Sequence, residues 1–330
     1  ITDPPYMKRM KMKIDYWGLV FLSLGLGCLQ IVLDKGQQEN WFSSAFIVWL
    51  SIIAFVSLVS FVVVELFTDQ PIVNLRAFRN RTFSTGNIIM FLGFFNLFAS
   101  IVLLPIYLQT LMGYTAFLAG LVLGPGGIAT MIALPIAGNL VNRINPKYLL
   151  AFGITVNAYA TYLMSNFNLH ADFHTVIWPR IVLGVGMGFF FIPLTTMTMS
   201  GIRREEMGNA SAIYNLLRNL GGSFGVAFVT TVLSRRAQFH QNHLVEHLTP
   251  FDSAFQMFSE QGAKFLHYRG FWESAAEYGS LGMIYRELLR QASMMAFNDA
   301  FFLVCIIMSC VLPLVIFMRR AKPGAAPGMH

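Results

Sequence analysis

The sequence predicts an all-α, polytopic membrane protein with eight transmembrane helices, and three observations support that fold class. Of the 330 residues, 55% are hydrophobic and 12% are charged, whereas soluble globular domains carry about 25% charged residues. Eight apolar runs approach or exceed the length of about 20 residues that a helix needs to cross a bilayer. The basic residues of the short loops lie almost entirely on one side, as they do in membrane proteins.

The eight predicted spans form a central helix pair followed by a bundle of six helices. The pair occupies residues 16–66 and the bundle residues 84–319, with linkers at 1–15 and 67–83 and a disordered tail at 320–330. The spans are predicted at 16–34, 43–66, 84–109, 115–140, 147–167, 174–200, 208–234 and 294–318. Between the last two spans, the long outer segment 235–292 should contain two or three short amphipathic helices.

The charge distribution predicts the orientation. Short loops on one side hold most of the basic residues, and those on the other side hold only Lys35. The positive-inside rule therefore places both termini, both linkers and the tail in the cytoplasm, and the outer segment 235–292 outside it. The net charge of +7 fits loops beside anionic lipid, and no basic and aromatic run indicates nucleic-acid binding. We expect the lipid bilayer as a partner and no nucleic acid.

The seventh predicted span contains a charge. Arg218 lies within the apolar stretch 208–233, and an arginine at mid-membrane depth costs roughly 2.5–3.5 kcal/mol on insertion scales. Helical spacing places Arg218 on one face with four neighbours, namely Tyr214, Asn215, Gly221 and Gly222. We expect this narrow polar face to contact other helices or a water-filled cavity rather than lipid.

Small residues are spaced four apart in three of the predicted spans. The pairs are Gly120 and Gly124, Gly184 and Gly188, and Gly221 and Gly225. Such pairs allow two helices to approach closely. Two interpretations remain open, since a close contact can be static packing or a surface on which helices slide during a conformational change.

A short basic loop links the fourth and fifth predicted spans. It runs from Gly138 to Lys147 and resembles the G-x-L-x-D-R-x-G-R-K loop signature of the major facilitator superfamily. Gly138, Arg143 and Lys147 match this signature, and Asn142 stands where the signature has an acid. In that family the charges of this loop latch helix ends on the cytoplasmic side. The resemblance therefore implies a weaker latch here, with Asn142 as a hydrogen-bonding substitute.

The resemblance extends over nearly the whole chain. It is similar to the fourteen-span drug:proton antiporters of the EmrB/QacA type, and its long outer segment is most similar to the EmrB branch. The stretches that carry this resemblance are 15–18, 76–83, 105–109, 208–225 and 236–240. On this mapping the chain is the C-terminal part of a longer protein. The N-terminal six spans of the same protein, with their proton-carrying acids, would be its missing half.

The family resemblance also implies a function. The whole protein would export lipophilic, toxic compounds in exchange for protons by alternating access, from the bacterial inner (plasma) membrane. It would work with a periplasmic adaptor (EmrA-like) and an outer-membrane channel, and it would need no cofactor. Within this half, the third, fourth, sixth and seventh spans would line the substrate cavity.

Candidate site residues follow from that mapping. Their aromatic and polar side chains suit bulky apolar or cationic compounds, although each phenylalanine could equally face lipid or a neighbouring helix. The cavity candidates are Asn87, Phe91, Phe94, Phe95, Phe190, Thr195 and Asn215, and the conformational candidates are Arg218, Gly221 and Gly225. We expect Arg180 to reach toward the outer interface and Asp299 to begin the last span.

Two other classes of function remain as alternatives. A membrane-embedded enzyme, such as a lipid-modifying transferase, would need acids, histidines or metal ligands clustered at one membrane face. The nearest pattern is the row of His240, His243 and His247 in the outer segment, which has zinc-compatible spacing but lies in a solvated stretch, so we expect no metal there. The second alternative is a non-transporting membrane partner module that associates through its glycine faces.

Overall fold

The computed structural model describes residues 15–68, 73–203, 206–246, 248–249 and 251–318, and within these ranges it is helical and contains no strand. This confirms the predicted all-α, polytopic fold class. The helices are α1 Tyr16–Lys35, α2 Ala45–Phe67, α3 Arg81–Thr110, α4 Ala116–Val141, α5 Pro146–Met164, α6 Phe173–Met199, α7 Met207–Glu246, α8 Ser253–Tyr268, α9 Glu273–Val311 and α10 Leu314–Phe317.

Seven of the described helical segments are long and apolar enough to cross a membrane, namely α1, α2, α3, α4, α6, α7, and α9 together with α10. The fifth predicted span does form a helix, α5, of 19 residues. It is less apolar than the others because it contains Asn157, Thr161 and three tyrosines. Its inner face is nevertheless buried against α6 and α9.

Side-chain caps explain where several of these helices begin. Asn80 accepts a hydrogen bond from the Thr82 amide at 3.0 Å at the start of α3. Asp172 accepts a hydrogen bond from the Thr175 amide at 3.0 Å at the start of α6. Such caps satisfy amides that have no partner within the helix. The Thr175 hydroxyl and amide hydrogen bonds together hold the pKa of Asp172 below its ordinary value.

The last six spans form one bundle, with α1 and α2 packed beside it. Helix α3 packs on α6, α7 and α9, α6 packs on α4 and α5, and α1 touches the bundle through α7. We call the end that carries α8 the hairpin end and the opposite end the loop end. A reciprocal pair of hydrogen bonds between Asn74 and Asn209 ties the linker to α7 at the loop end, at 2.8 and 3.3 Å. The Ser223 hydroxyl donates to Gln30 of α1 at 2.7 Å.

Two hydrophobic clusters fill the bundle. The cluster toward the loop end contains Phe83, Ile89, Met90, Ile154, Phe190 and Leu194. The cluster toward the hairpin end contains Leu103, Leu104, Tyr107, Leu183, Phe297 and Phe301. Asn96 of α3 and Asn157 of α5 are fully buried polar residues of the same bundle. This core fixes the backbones of α3, α6 and α7, which carry most of the candidate site.

The outer segment differs from the expected loop with short helices. Helix α7 continues past residue 234 to Glu246, and α9 already begins at Glu273, long before residue 294. Among the described residues of this segment, α8 alone forms a separate helix, and it packs along α9. Continuing a helix out of the membrane keeps its backbone amides and carbonyls hydrogen-bonded, whereas a loop must find other partners for them. The result is a helical projection, which we call the hairpin (α8 with the outer parts of α7 and α9).

Candidate functional site

The two glycines Gly221 and Gly225 place α7 directly against the backbone of α3. A methyl group at Gly221 would overlap the carbonyl oxygen of Phe91, and one at Gly225 would overlap that of Phe95. Both glycines are buried. Helices without side chains between them can approach closely, so these two glycines set the distance between α3 and α7.

The other two small-residue pairs behave differently from each other. In α6, a methyl group at Gly184 would overlap the Gly126 carbonyl oxygen, and one at Gly188 would overlap Ala133. This pair therefore forms a close contact with α4. Gly120 and Gly124 of α4 have no neighbouring atom within 4 Å of such a methyl group, so among the described residues this pair faces open space.

Aromatic side chains of α3 form pairs with α6 and α7. The ring centroids lie 5.1 Å apart for Phe94 and Phe191, and 5.3 Å apart for Phe95 and Phe228. Phe91 is 5.7 Å from Phe224. Edge-on and tilted pairs at these distances are favourable ring arrangements. The cavity candidates on α3 thus pack against the two helices that carry the other candidates.

Arg218 lies next to these aromatic pairs, which we call the aromatic layer. Its guanidinium carbon is 5.4 Å from the centre of the Phe94 ring, within the range of a cation–π contact. Among the described residues, no carboxylate lies within ion-pair distance of Arg218. The Asn215 side-chain amide donates to the Ser211 carbonyl at 2.9 Å, and among the described residues no hydrogen bond joins Asn215 to Arg218. The aromatic ring is therefore the neighbour that the structure gives to this charge.

Exposed side chains of α3, α6 and α7 accompany Arg218, and we call this set the open face. It consists of Phe98, Thr195, Asn215, Arg218 and Asn219. Arg218 is partly exposed and the other four are exposed. Thr195 is joined to α7 by a hydrogen bond of 2.9 Å with the Tyr214 hydroxyl. The open face combines an aromatic ring, neutral polar groups and one cation.

Four of the seven cavity candidates lie in the core. Phe94 and Phe95 are each 8% exposed, and Asn87 and Phe190 are fully buried. The Asn87 amide donates to the Phe83 carbonyl at 2.9 Å, and the Phe190 ring fills the space that Gly93 leaves on α3. The sequence indicated the helices correctly but not which side of each helix faces inward, so all four residues were expected to line the cavity. In this structure Asn87 and Phe190 support the aromatic layer from behind.

Arg180 differs from its expected position. It was expected to reach toward the outer interface, but only 9% of its surface is exposed. Its side chain crosses α4 at Gly126, where a methyl group would lie 2.8 Å from the Arg180 Cγ. The absence of a side chain at Gly126 provides this space. The Arg180 Nε has no hydrogen-bond partner among the described residues.

Asp299 also differs from expectation, because it lies inside α9 rather than at a helix start. Its Oδ2 atom is 2.6 Å from the Arg236 Nε and 2.6 Å from the His240 Nε2. His240 is largely buried, with 7% of its surface exposed. Sequence reasoning missed this cluster, although Arg236 and His240 are four residues apart and Asp299 is the acid nearest the start of the last apolar run.

His240 and His243 of the predicted histidine row have different partners. His240 binds Asp299, while His243 lies 3.8 Å from Glu246 between Nδ1 and Oε2. His247 lies outside the described residues. Among the residues that the structure does describe, no three or more His, Cys, Asp and Glu side chains are grouped to hold a metal ion.

The basic loop at the loop end shows how its signature residues are used. The Asn142 side chain points back to the Gly138 carbonyl of its own helix, at 3.4 Å. The Lys147 Nζ atom reaches the Ile316 carbonyl at 3.3 Å and so contacts the end of α10. Arg143 is exposed. Lys147 therefore joins two helix ends, and Asn142 stays within α4.

Comparison with known proteins agrees with this architecture. A model described as Major Facilitator Superfamily matches residues 16–226. The chain is 35% identical over 301 residues to the fatty acid resistance protein FarB of Neisseria gonorrhoeae, which is 91% of this chain and 58% of FarB. It is 35% identical over 326 residues to the multidrug export protein EmrB of Escherichia coli strain K12, which is 97% of this chain and 62% of EmrB.

The chain thus spans about three fifths of the length of these curated relatives. A crystal structure of a bacterial homologue of the human lysosomal transporter Spinster, inward-facing and occupied, superposes with a TM-score of 0.51 at 11% identity. The superposition covers 91% of this chain and 64% of that one, and it shows a shared fold. The sequence matches confirm the family resemblance inferred from the motifs. This multi-pass membrane chain belongs to the Major Facilitator Superfamily.

Proposed function

We propose that this chain is the C-terminal part of a transporter that exports lipophilic, toxic compounds in exchange for protons. Support comes from the names of relatives that match over nearly all of it, which refer to multidrug export and fatty acid resistance. A third relative, 26% identical over 94% of the chain, is the colistin resistance protein EmrB of Acinetobacter baumannii. None of these names refers to an enzyme.

The open face is the observation that carries the proposal. Its members lie on helices that are apolar enough to span a membrane, yet they include the Arg218 cation and three neutral polar side chains. Exposing such a charge to lipid is costly, so a face of this kind turns toward a wet cavity or another helix. Aromatic rings with few polar groups are suited to binding lipophilic compounds of varied shape.

Alternating access would use this face as one wall of a central cavity. The opposite wall and the proton-carrying acids would belong to the N-terminal six-helix bundle of the same protein. In one of the two conformations, Arg218 would leave the Phe94 ring and form an ion pair with an acid of that bundle. A charge that has different partners in two states shifts the balance between them. Gly221 and Gly225 would let α3 and α7 adjust without interlocked side chains.

The hairpin would serve a separate role in the proposed pathway. By the positive-inside rule, the basic loops favour a loop end that faces the cytoplasm at an inner membrane, and the hairpin would then extend into the periplasm. It exposes Phe258, Trp272 and Tyr278, and aromatic side chains are enriched at protein interfaces. We propose that it contacts a periplasmic adaptor (EmrA-like) that leads to an outer-membrane channel.

A photocrosslinker at Trp272 should capture the adaptor, whereas one at Trp178 in α6 should not.

A drug-resistance assay in bacteria tests the proposed export. The full-length gene would be expressed in a bacterial strain that lacks its own efflux pumps, with and without the gene of an adaptor. We expect higher inhibitory concentrations for several lipophilic compounds, and we expect this increase to disappear when a protonophore collapses the proton gradient. If the full-length protein reaches the membrane and no compound is tolerated better, the proposal is wrong.

A further inference from the structure

A large cavity lies at the hairpin end, apart from the layer of aromatic pairs. Its volume is about 920 Å³, it is open on one side, and it is lined by the end of α3, the outer part of α7 and the outer part of α9. Binding sites for small organic molecules commonly measure about 300–1,000 Å³. The cavity is therefore large enough for a lipophilic small molecule or for the chain of a lipid.

One residue of the cavity wall lies on the same side of α7 as two members of the open face. Asn215, Asn219, Val226 and Thr230 are separated by four, seven and four residues, so they lie on one face of the helix. Thr230 is part of the cavity wall. The cavity therefore lies further along α7 on the side that carries Asn215 and Asn219.

The inner wall of the cavity is apolar. Ile106 and Leu111 contribute from the end of α3, Leu233 from α7 and Phe297 from α9. Phe297 belongs to the buried core of the hairpin end, so this wall is rigid. Apolar surface of this kind favours a hydrocarbon tail, because transfer of such a tail out of water is favourable.

The outer rim is cationic. Arg286, Glu287 and Arg290 of α9 all line the cavity, with the two arginines one helical turn apart, so the rim carries one net positive charge. The acid between them, Glu287, is already engaged, since its carboxylate is 3.7 Å from Arg290 and accepts a 2.9 Å hydrogen bond from Gln291. Among the described residues, no carboxylate forms an ion pair with Arg286. The rim therefore presents a guanidinium fork that is available for an anion.

We propose that this cavity binds an anionic amphiphile, with its hydrocarbon tail on the inner wall and its head group at Arg286. A guanidinium fork suits a carboxylate or a phosphate because it can donate two parallel hydrogen bonds. The amphiphile can be a free long-chain carboxylate or an anionic membrane lipid. Its role as a compound about to leave the transporter rests on the proposed export function, but the binding itself does not.

Binding of radiolabelled dodecanoate to the full-length protein tests the proposal, in nanodiscs of phosphatidylcholine. Dodecanol serves as the uncharged probe of equal length. Arg286→Gln should weaken dodecanoate binding by about fivefold and leave dodecanol binding unchanged, since a partly solvated ion pair contributes modestly. Lys264→Gln on α8 removes an equal charge outside the cavity and should leave both affinities unchanged. Leu233→Trp should narrow the cavity beside its inner wall and reduce the binding of both probes.

Nanodiscs that also contain phosphatidylglycerol distinguish the two sources of the ligand. Weaker dodecanoate binding there identifies the lipid as the resident ligand, and unchanged binding identifies a free amphiphile. The proposal is overturned if dodecanoate and dodecanol bind equally well, or if Arg286→Gln and Lys264→Gln have the same effect. Because binding is measured without transport, such a failure leaves the export proposal standing, and a failure of export leaves the binding result standing.

Discussion

His240 on α7 and Asp299 on α9 are joined by a contact of 2.6 Å between Nε2 and Oδ2. Arg236, one turn before His240, binds the same carboxylate oxygen. These contacts occur where the apolar parts of α7 and α9 give way to the hairpin. Hydrogen bonds to an ionised carboxylate are stronger than neutral ones. The cluster therefore fixes the outer part of α7 against the last span.

Replacing the carboxylate at this cluster should loosen the hairpin. In Asp299→Asn, the amide oxygen carries no charge for Arg236, so we expect a loss of about 1 kcal/mol in local stability, because the carboxylate is partly exposed. Hydrogen exchange of the amides in 235–246 measures this loss. Glu287→Gln is the control, since its ion pair with Arg290 is exposed. Equal exchange in the two variants would contradict the assigned role of Asp299.

Adding a methyl group at the α3–α7 contact should destabilise the bundle. Gly221→Ala and Gly225→Ala would each force the methyl group into a carbonyl of α3, at a cost of about 1–3 kcal/mol. Gly120→Ala and Gly124→Ala are matched controls on α4, because no atom lies near the new methyl groups. Thermal unfolding in detergent compares them. The interpretation fails if all four variants unfold at the same temperature.

Chemical labelling should separate the open face from the core. With Cys28, Cys305 and Cys310 replaced by serine, Asn215→Cys should react with a water-soluble maleimide in membranes. Asn87→Cys should not react, since Asn87 is fully buried beneath the aromatic layer. A transported compound should slow labelling at position 215 if that face lines its route. Equal labelling at both positions would show that the described packing is not the one present in membranes.

Removing the cation of the open face should abolish export. We expect Arg218→Ala in the full-length protein to lose drug resistance while expression and membrane insertion persist. Arg218→Lys should restore only part of it, because a compact ammonium replaces the planar group that lies over the Phe94 ring. Arg235→Ala, an exposed position on the same helix, is the control. Full resistance in Arg218→Ala would refute a conformational role for this charge.

Much of the fold could be predicted from the sequence because the spans are set by local properties. Length, hydropathy and capping residues act within one helix, so the start of α3 at Arg81 and that of α6 at Phe173 fall within three residues of their predicted positions. The spacing of Gly221 and Gly225 predicted a close helix contact, but the same spacing at Gly120 and Gly124 gives none, so the spacing alone does not identify the contact. The helix starts do not depend on how helices are rotated relative to one another.

The remaining features depend on tertiary contacts that no single helix encodes. Asn87 is buried because α6, α7 and α9 surround α3, and Phe190 of α6 is buried because its ring packs at Gly93 of α3. The pattern of neither helix alone shows this. Arg180 is covered because Gly126 on another helix makes room for it. The outer segment was expected to hold two or three short helices in an extended loop, because hydropathy ends at the membrane boundary, whereas helical hydrogen bonding continues beyond it. Asp299 could be interpreted only once its partners on α7 were known.

Transport in proteoliposomes tests the central claim most directly. The full-length protein would be reconstituted, a pH difference imposed across the vesicle membrane, and the movement of a lipophilic fluorescent compound followed. We predict that the compound moves in the direction opposite to the protons, that a protonophore stops this movement, and that vesicles with Arg218→Ala show none of it. Movement that is the same with and without the pH difference, or the same with and without Arg218, would contradict the account.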